Sequence, residues 1–212
     1  MRRAIGWVVV AAVLAPVLGG CVLFAVGGAA VGGAVVATDR RSVGIQLEDK
    51  RIASRVNGAL SDNIPEGAML IDVTSYNRKV LLAGEVKTAE QKALAETSAA
   101  KVENVREVVN ELTVGSLATL GDRTDDTLLA GKVRAALLGA DGVPTGVVEA
   151  TVNRDVVYLL GKVTPAEADA AAKTASRVSG VRRVVKLFDL ISNEEVEAIK
   201  RTQQESSAGA KN

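Results

Sequence analysis

Few side chains in this 212-residue chain are equipped for chemistry. It has one cysteine, Cys21, and no histidine, which excludes disulfides, histidine acid/base work, a histidine-activated serine and the common zinc sites. Carboxylates are plentiful, but none falls in a recognisable catalytic motif. The chain therefore reads as a non-enzyme with no metal and no cofactor. What remains is the Cys21 thiol, and any place where apolar and basic side chains share an exposed face.

Cys21 ends the stretch Leu18-Gly19-Gly20-Cys21. Ahead of it, Met1-Arg2-Arg3 gives a positive start and Ile5 to Leu18 an apolar run broken by small residues and Pro16. That is the layout of a secretory signal. Its small-small-Cys end suits a bacterial lipoprotein signal, in which the cysteine sulfur is lipidated and the chain is cut before it. The competing reading is a transmembrane helix through Ile5 to Ala37, long enough for the roughly 20 residues required but carrying Pro16 and seven glycines. Lipid chains contribute about 0.8 kcal/mol per buried methylene, and stable anchoring takes more than one chain.

The second candidate lies on a helix expected from Asp126 to Leu138. With Leu128 at zero and a step of about 100° per residue, Leu129, Val133, Ala136 and Leu137 fall between about 80° and about 180° and form the core stripe. Leu128 stands outside it, with Lys132 at about 40°, Ala135 at about 340°, Leu138 at about 280° and Arg134 at about 240°. An apolar residue exposed at a helix start beside a cation suits an interfacial helix touching anionic lipid. In the other reading Leu128 packs against the linker or the first half of the chain.

The elements that must position these residues come from a repeat. Val80-Leu81-Leu82-Ala83-Gly84-Glu85-Val86 matches Val157-Tyr158-Leu159-Leu160-Gly161-Lys162-Val163 at a constant offset, and Lys101-Val102 matches Arg177-Val178 at one position less. Each copy reads helix, strand, strand, helix, strand. In the first, Asp49 is expected to cap a helix carrying Ile52, Val56 and Leu60. Strands 70–74 and 80–86 form a hairpin, Thr88 caps a helix to about Lys101, and 105–114 is the last strand. In the second, strands 147–152 and 156–163 follow the Asp126 helix, then a helix from Pro165 to Val178 and a strand from Val181 to Leu190. The right-handed crossover rule puts both helices of a copy on one face of a three-stranded mixed sheet, so the other face must find cover elsewhere. Gly84 and Gly161 share a position in the two copies and are expected to be structural, each facing a helix with room only for hydrogen.

Formal charge is +1, with 26 basic and 25 acidic side chains, so no overall field points to nucleic acid. Val22 to Ala37 is Gly- and Ala-rich, and Gly28 and Gly32 have the spacing that lets membrane helices approach closely. Asp39-Arg40-Arg41 then switches abruptly to charge.

Two such units behind a lipobox, with Asp39-Arg40-Arg41-Ser42-Val43-Gly44, Asn77-Arg78-Lys79-Val80-Leu81-Leu82-Ala83-Gly84 and Ala175-Ser176-Arg177-Val178-Ser179-Gly180-Val181, resemble the dual BON-domain outer-membrane lipoproteins of Gram-negative bacteria. The resemblance implies an α+β fold of two tandem αββαβ BON domains. It divides the chain into a signal peptide (1–20), a lipidated Cys21 with a membrane-proximal segment (21–46), a first domain (47–114), a linker (115–124) and a second domain (125–191). The tail (192–212) departs from the shorter family members: Ser192-Asn193-Glu194-Glu195 is expected to cap a short helix through Arg201, and the remainder reads as disordered. The resemblance further implies a lipid-anchored protein on the periplasmic face of the outer membrane. Such a protein supports envelope integrity by binding anionic phospholipid through the first helix of the second domain, here Leu128, Lys132, Arg134, Ala135 and Leu138. The family's position matched by Leu128 carries an aromatic in close relatives, and leucine keeps the apolar contact without the amphipathic ring. Val22 after the cysteine, where aspartate would retain a lipoprotein in the inner membrane, favours the outer membrane. The other function considered is a structural adaptor whose domains dock an envelope protein.

Overall fold

The first helix begins earlier than Asp49, because Ser42 supplies the cap: its Oγ accepts from the Ile45 N–H, and α1 runs Val43–Asn63. The structure, a computed structural model, describes residues 39–209; Cys21, its signal and the Gly/Ala-rich stretch lie outside the described residues. After α1 come β1 (Met69–Tyr76), β2 (Lys79–Val86), α2 (Ala89–Ala100) and β3 (Glu107–Val114). The second copy has α3 (Leu120–Leu138), β4 (Glu149–Asn153), β5 (Val156–Leu160), β6 (Lys162–Val163), α4 (Pro165–Ser176), β7 (Arg183–Lys186) and β8 (Asp189–Leu190), and α5 (Asn193–Gly209) closes the chain.

The sheet orders are β1-β2-β3 and β4-β5-β7, with β6-β8 extending the second. In each, the hairpin pair is antiparallel and the crossover pair parallel. The repeat holds in register: Val73 faces Leu82 in one copy and Ala150 faces Leu159 in the other.

Asp49 has a different task from capping its own helix. It is buried inside α1 and accepts from the N–H groups of Asn77 and Arg78 at 2.8 and 2.7 Å, from the Ser75 hydroxyl at 3.0 Å, and from Arg41 at 2.9 Å. Asn77 and Arg78 are the two loop residues of the hairpin, both at positive φ as a tight primed turn demands. The second copy repeats the device at the matched position, where Asp126 accepts from the Arg154 and Asp155 N–H groups at 2.9 and 3.1 Å. One helical carboxylate thus fixes helix to hairpin in each domain.

Both central strands are buried throughout, which explains their continuous apolar runs. Val80, Leu82 and Val86 point to the helices α1 and α2, as Val157 and Leu159 do to α3 and α4. The opposite faces meet. Tyr76, Leu81 and Ala83 of the first domain pack on Val156, Tyr158 and Leu160 of the second in a third core, so each sheet covers the other. Thr74 and Thr151, equivalent positions, touch across the seam at 3.3 Å. The fully buried Glu85 accepts from Arg154 at 2.7 Å and from the Ala118 N–H at 3.1 Å.

The charged segment Asp39-Arg40-Arg41 is built into this seam. Arg40 forks onto Glu167 at 2.7 and 2.8 Å and donates to the Lys162 carbonyl, while Arg41 pairs with Asp39 and Asp49 and lies 3.7 Å over the Tyr76 ring. Hydrogen bonding to Arg40 holds the Glu167 carboxyl below its ordinary range. At the other end, α5 continues well past Arg201 rather than fraying into a tail. Val196 is buried on it, and Gln203 donates to the Asp39 carbonyl at 2.8 Å. Every residue of the four apolar clusters lies between Ile52 and Phe188, and the described residues form one compact unit.

The two glycines meet backbone rather than a helix. A Cβ at Gly84 would lie 2.1 Å from the Leu70 carbonyl oxygen, at φ +131°, and one at Gly161 2.8 Å from the Val147 carbonyl oxygen. Gly161 is also where the second central strand breaks into β5 and β6. Gly84→Ala is therefore expected to cost about 3 kcal/mol or more and Gly161→Ala less, readable as the order of melting temperatures of the 39–212 fragment. In the same assay Asp49→Ala, which leaves two turn N–H groups and the Ser75 hydroxyl without their acceptor and removes one of the carboxylates paired with Arg41, costs about 3 kcal/mol and Asp126→Ala about 1–2 kcal/mol.

Candidate functional site

Thr119 caps α3, so the helix starts well before the expected Asp126. Its N–H donates to the Asp122 carboxylate at 2.7 Å and its Oγ1 accepts from the Asp122 N–H at 3.2 Å, a closed capping box that holds the Asp122 carboxyl below its ordinary range. The segment 115–124 is consequently linker only as far as Thr119, and its second half is the first turn of the helix. Of its two leucines, Leu117 is half-buried but Leu120 does not dock: it is 80% exposed.

Leu129, Ala130, Val133 and Leu137 form the buried stripe of α3. Leu128 and Leu138 are each 60% exposed, and Lys132 and Ala135 lie exposed between them. Leu120 falls on the azimuth of Leu138, five full turns and about 27 Å away along the axis. The exposed apolar face therefore runs the whole helix. Sequence reasoning missed Leu120 because Gly121 and Asp122 looked like linker; the Thr119-to-Asp122 spacing was the signal for a helix start.

Arg134 does not join this face. Its guanidinium donates to the Ala150 carbonyl at 2.9 Å and, with Arg123, lines a cleft of about 210 Å³ whose other walls include Asp72, Asp126 and Thr151. Burial, opposed by Arg123, raises the Asp72 carboxyl above its ordinary range. The helix carries three cations, Arg123, Lys132 and Arg134, against three carboxylates, Asp122, Asp125 and Asp126. It offers a contact for apolar matter and no net positive charge.

The first-domain helix α1 is unlike it. Its exposed apolar residues, Val43 and Leu47, are confined to the first two turns. Among the described residues no cluster of carboxylates is placed to hold a metal ion, and no helix is long and apolar enough to cross a membrane.

Comparison with known proteins places this geometry. The BON domain family model matches residues 48–116 and again 125–191. The chain is 37% identical over 174 residues to the outer membrane lipoprotein DolP of Haemophilus influenzae, across 81% of this chain and 89% of that protein. It is 35% identical over 155 residues to the 21 kDa hemolysin of Actinobacillus pleuropneumoniae, across 72% of this chain and 79% of that one. It is also 30% identical over 155 residues to the osmotically-inducible protein Y of Escherichia coli, across 72% and 77%. The chain belongs to the BON-domain family, as an outer-membrane lipoprotein carrying two BON domains in tandem.

Proposed function

We propose that this protein, anchored by lipid on Cys21, binds anionic phospholipid through α3 of its second BON domain and thereby supports the integrity of the envelope without catalysing a reaction. The observation that carries the reading is the set Leu120, Leu128 and Leu138, three large apolar side chains that a folded helix leaves in solvent. Scattered exposed leucines are ordinary, but three along one helix face are what an interfacial helix presents. Of the two surfaces an adaptor would use, the sheet faces are buried on each other, which leaves it only the polar face of α1.

The energetics suit an anchored protein. A well-buried leucine contributes about 1.5–3 kcal/mol and a basic residue near an anionic surface about 1 kcal/mol, which gives loose binding for a free domain. A tether converts the same contact into an intramolecular one at roughly millimolar effective concentration.

The fragment 39–212 is expected to bind phosphatidylglycerol-containing vesicles, with amide shifts centred on residues 120–138. Leu128→Glu should reduce affinity about tenfold or more and Leu120→Ser about fivefold. Shifts confined to α1, or none, would refute the α3 assignment. In cells, Cys21→Ser should remove the full chain from the outer-membrane fraction; retention there would refute the anchor.

A further inference from the structure

If α3 brings no net charge, the preference for an anionic surface must come from a neighbour. α3 and α4 pack side by side, and the turn after α4 returns to the first half of α3: a Cβ at Gly180 would stand 3.3 Å from Leu129, the residue next to Leu128. Arg182 is tied to the same end, its N–H donating to the Asp155 carbonyl and its guanidinium to the Arg154 carbonyl, both at 2.9 Å, in the turn that Asp126 of α3 holds.

This segment is the most one-sided in charge of the described chain. From Lys173 to Lys186 there are five cations, Lys173, Arg177, Arg182, Arg183 and Lys186, and no carboxylate. All five are exposed. Arg183 pairs with Glu111 and Lys186 with Asp169, while Lys173, Arg177 and Arg182 form no ion pair among the described residues. Lys173, Ser176, Arg182 and Arg183 rim an open cleft of about 500 Å³ floored by Ala172, Val181 and Val184.

The first copy provides an internal control. The matched stretch, Thr97 to Asn110, has two cations, Lys101 and Arg106, and two carboxylates, Glu103 and Glu107. It folds into the same helix end, turn and parallel strand. Positions 177 and 182 are cationic in both copies, as Lys101 and Arg106 in the first, so what sets the second copy apart is Lys173, Arg183 and Lys186 together with the absence of any carboxylate. Lys173 and Arg177 make no ion pair that folding requires, and their place on one exposed edge leaves them to act outside the fold.

We propose that the α4–β7 edge of the second domain is a phosphate-recognising surface that meets the headgroups of an anionic membrane while Leu120 and Leu128 enter the acyl boundary beside it. The assignment takes its partner from the α3 reading and adds the residues that choose it. Lys173 and Arg177 contribute attraction to lipid phosphate, and Arg182 holds its guanidinium at the same rim, while the Ser176 hydroxyl donates to the Lys173 carbonyl at 3.0 Å and fixes the end of α4.

Binding of the fragment 39–212 to phosphatidylglycerol/phosphatidylcholine vesicles, measured across a salt series, tests this. Lys173→Gln with Arg177→Gln should lower affinity about twentyfold, roughly fivefold per cation, and flatten the salt dependence. The charge-matched control Lys87→Gln with Lys101→Gln should change it less than about twofold. Equal effects of the two pairs overturn the proposal. Full loss with Leu128→Glu but none with the Lys173/Arg177 pair overturns it while sparing α3. Loss with the pair and none with Leu128→Glu sinks the α3 reading and leaves the basic edge standing. Inorganic phosphate shifting the 173–186 amides as strongly as vesicles do, at equal phosphate, would make this a site for soluble anions and overturn the membrane assignment.

Discussion

The molecule is governed by a shortage of helix. Each αββαβ unit has two helices and three strands, and two helices cover only one face of a three-stranded sheet. The uncovered face carries Tyr76, Leu81 and Ala83 in one unit and Val156, Tyr158 and Leu160 in the other, and neither set tolerates water. Each unit therefore finishes the other. The covalent repeat makes this inexpensive in entropy, because the partner face is already joined through a short linker, Gly115 to Thr119.

Polar chemistry then decides how the two faces meet. Asp49 and Asp126 lock each hairpin turn to its own helix, while Glu85 with Arg154, the Tyr76 hydroxyl with the Lys162 N–H, and Arg40 with Glu167 join one unit to the other. No buried side-chain polar atom among the described residues is left without a partner. Such contacts add modest net stability, but any mispaired arrangement would bury unpaired groups, so they select one geometry of the seam. Duplication also relieved one copy of a constraint. Once both sheets are sealed, the outer surfaces of the two units are free to diverge, and they have done so in opposite senses: a polar α1 on one side, an apolar α3 with a basic edge on the other.

The architecture was legible in the sequence because it is written twice. Periodicity placed the strands and helices, and the constant offset that carries Val80 onto Val157 tied them into two units. Four features were not legible, each for a physical reason. Asp49 looked like a cap because aspartate usually is one; its burial depends on a turn around Asn77, far along the chain. Leu120 was read as linker because its neighbours are Gly121 and Asp122, whose weak helix preference masked the Thr119-to-Asp122 capping spacing that overrides it. The polar tail after Gln203 lacks apolar residues to announce packing, and its helix is held by a hydrogen bond to Asp39 at the opposite end of the described chain. The exposed face of α3 was found by angle alone, whereas the partner of Arg134 was not, since a main-chain acceptor leaves no mark in sequence.

The placement of Arg40 has a mechanical meaning. Tension that enters the described chain at Asp39 meets the Gln203 bond to the Asp39 carbonyl, the fork of Arg40 to Glu167 and the pairing of Arg41 with Asp39 and Asp49. Load is shared between the second domain and the first at the point of entry instead of passing along α1. Tension at this entry point therefore strains the clasp between the two halves without first unwinding the helix behind it.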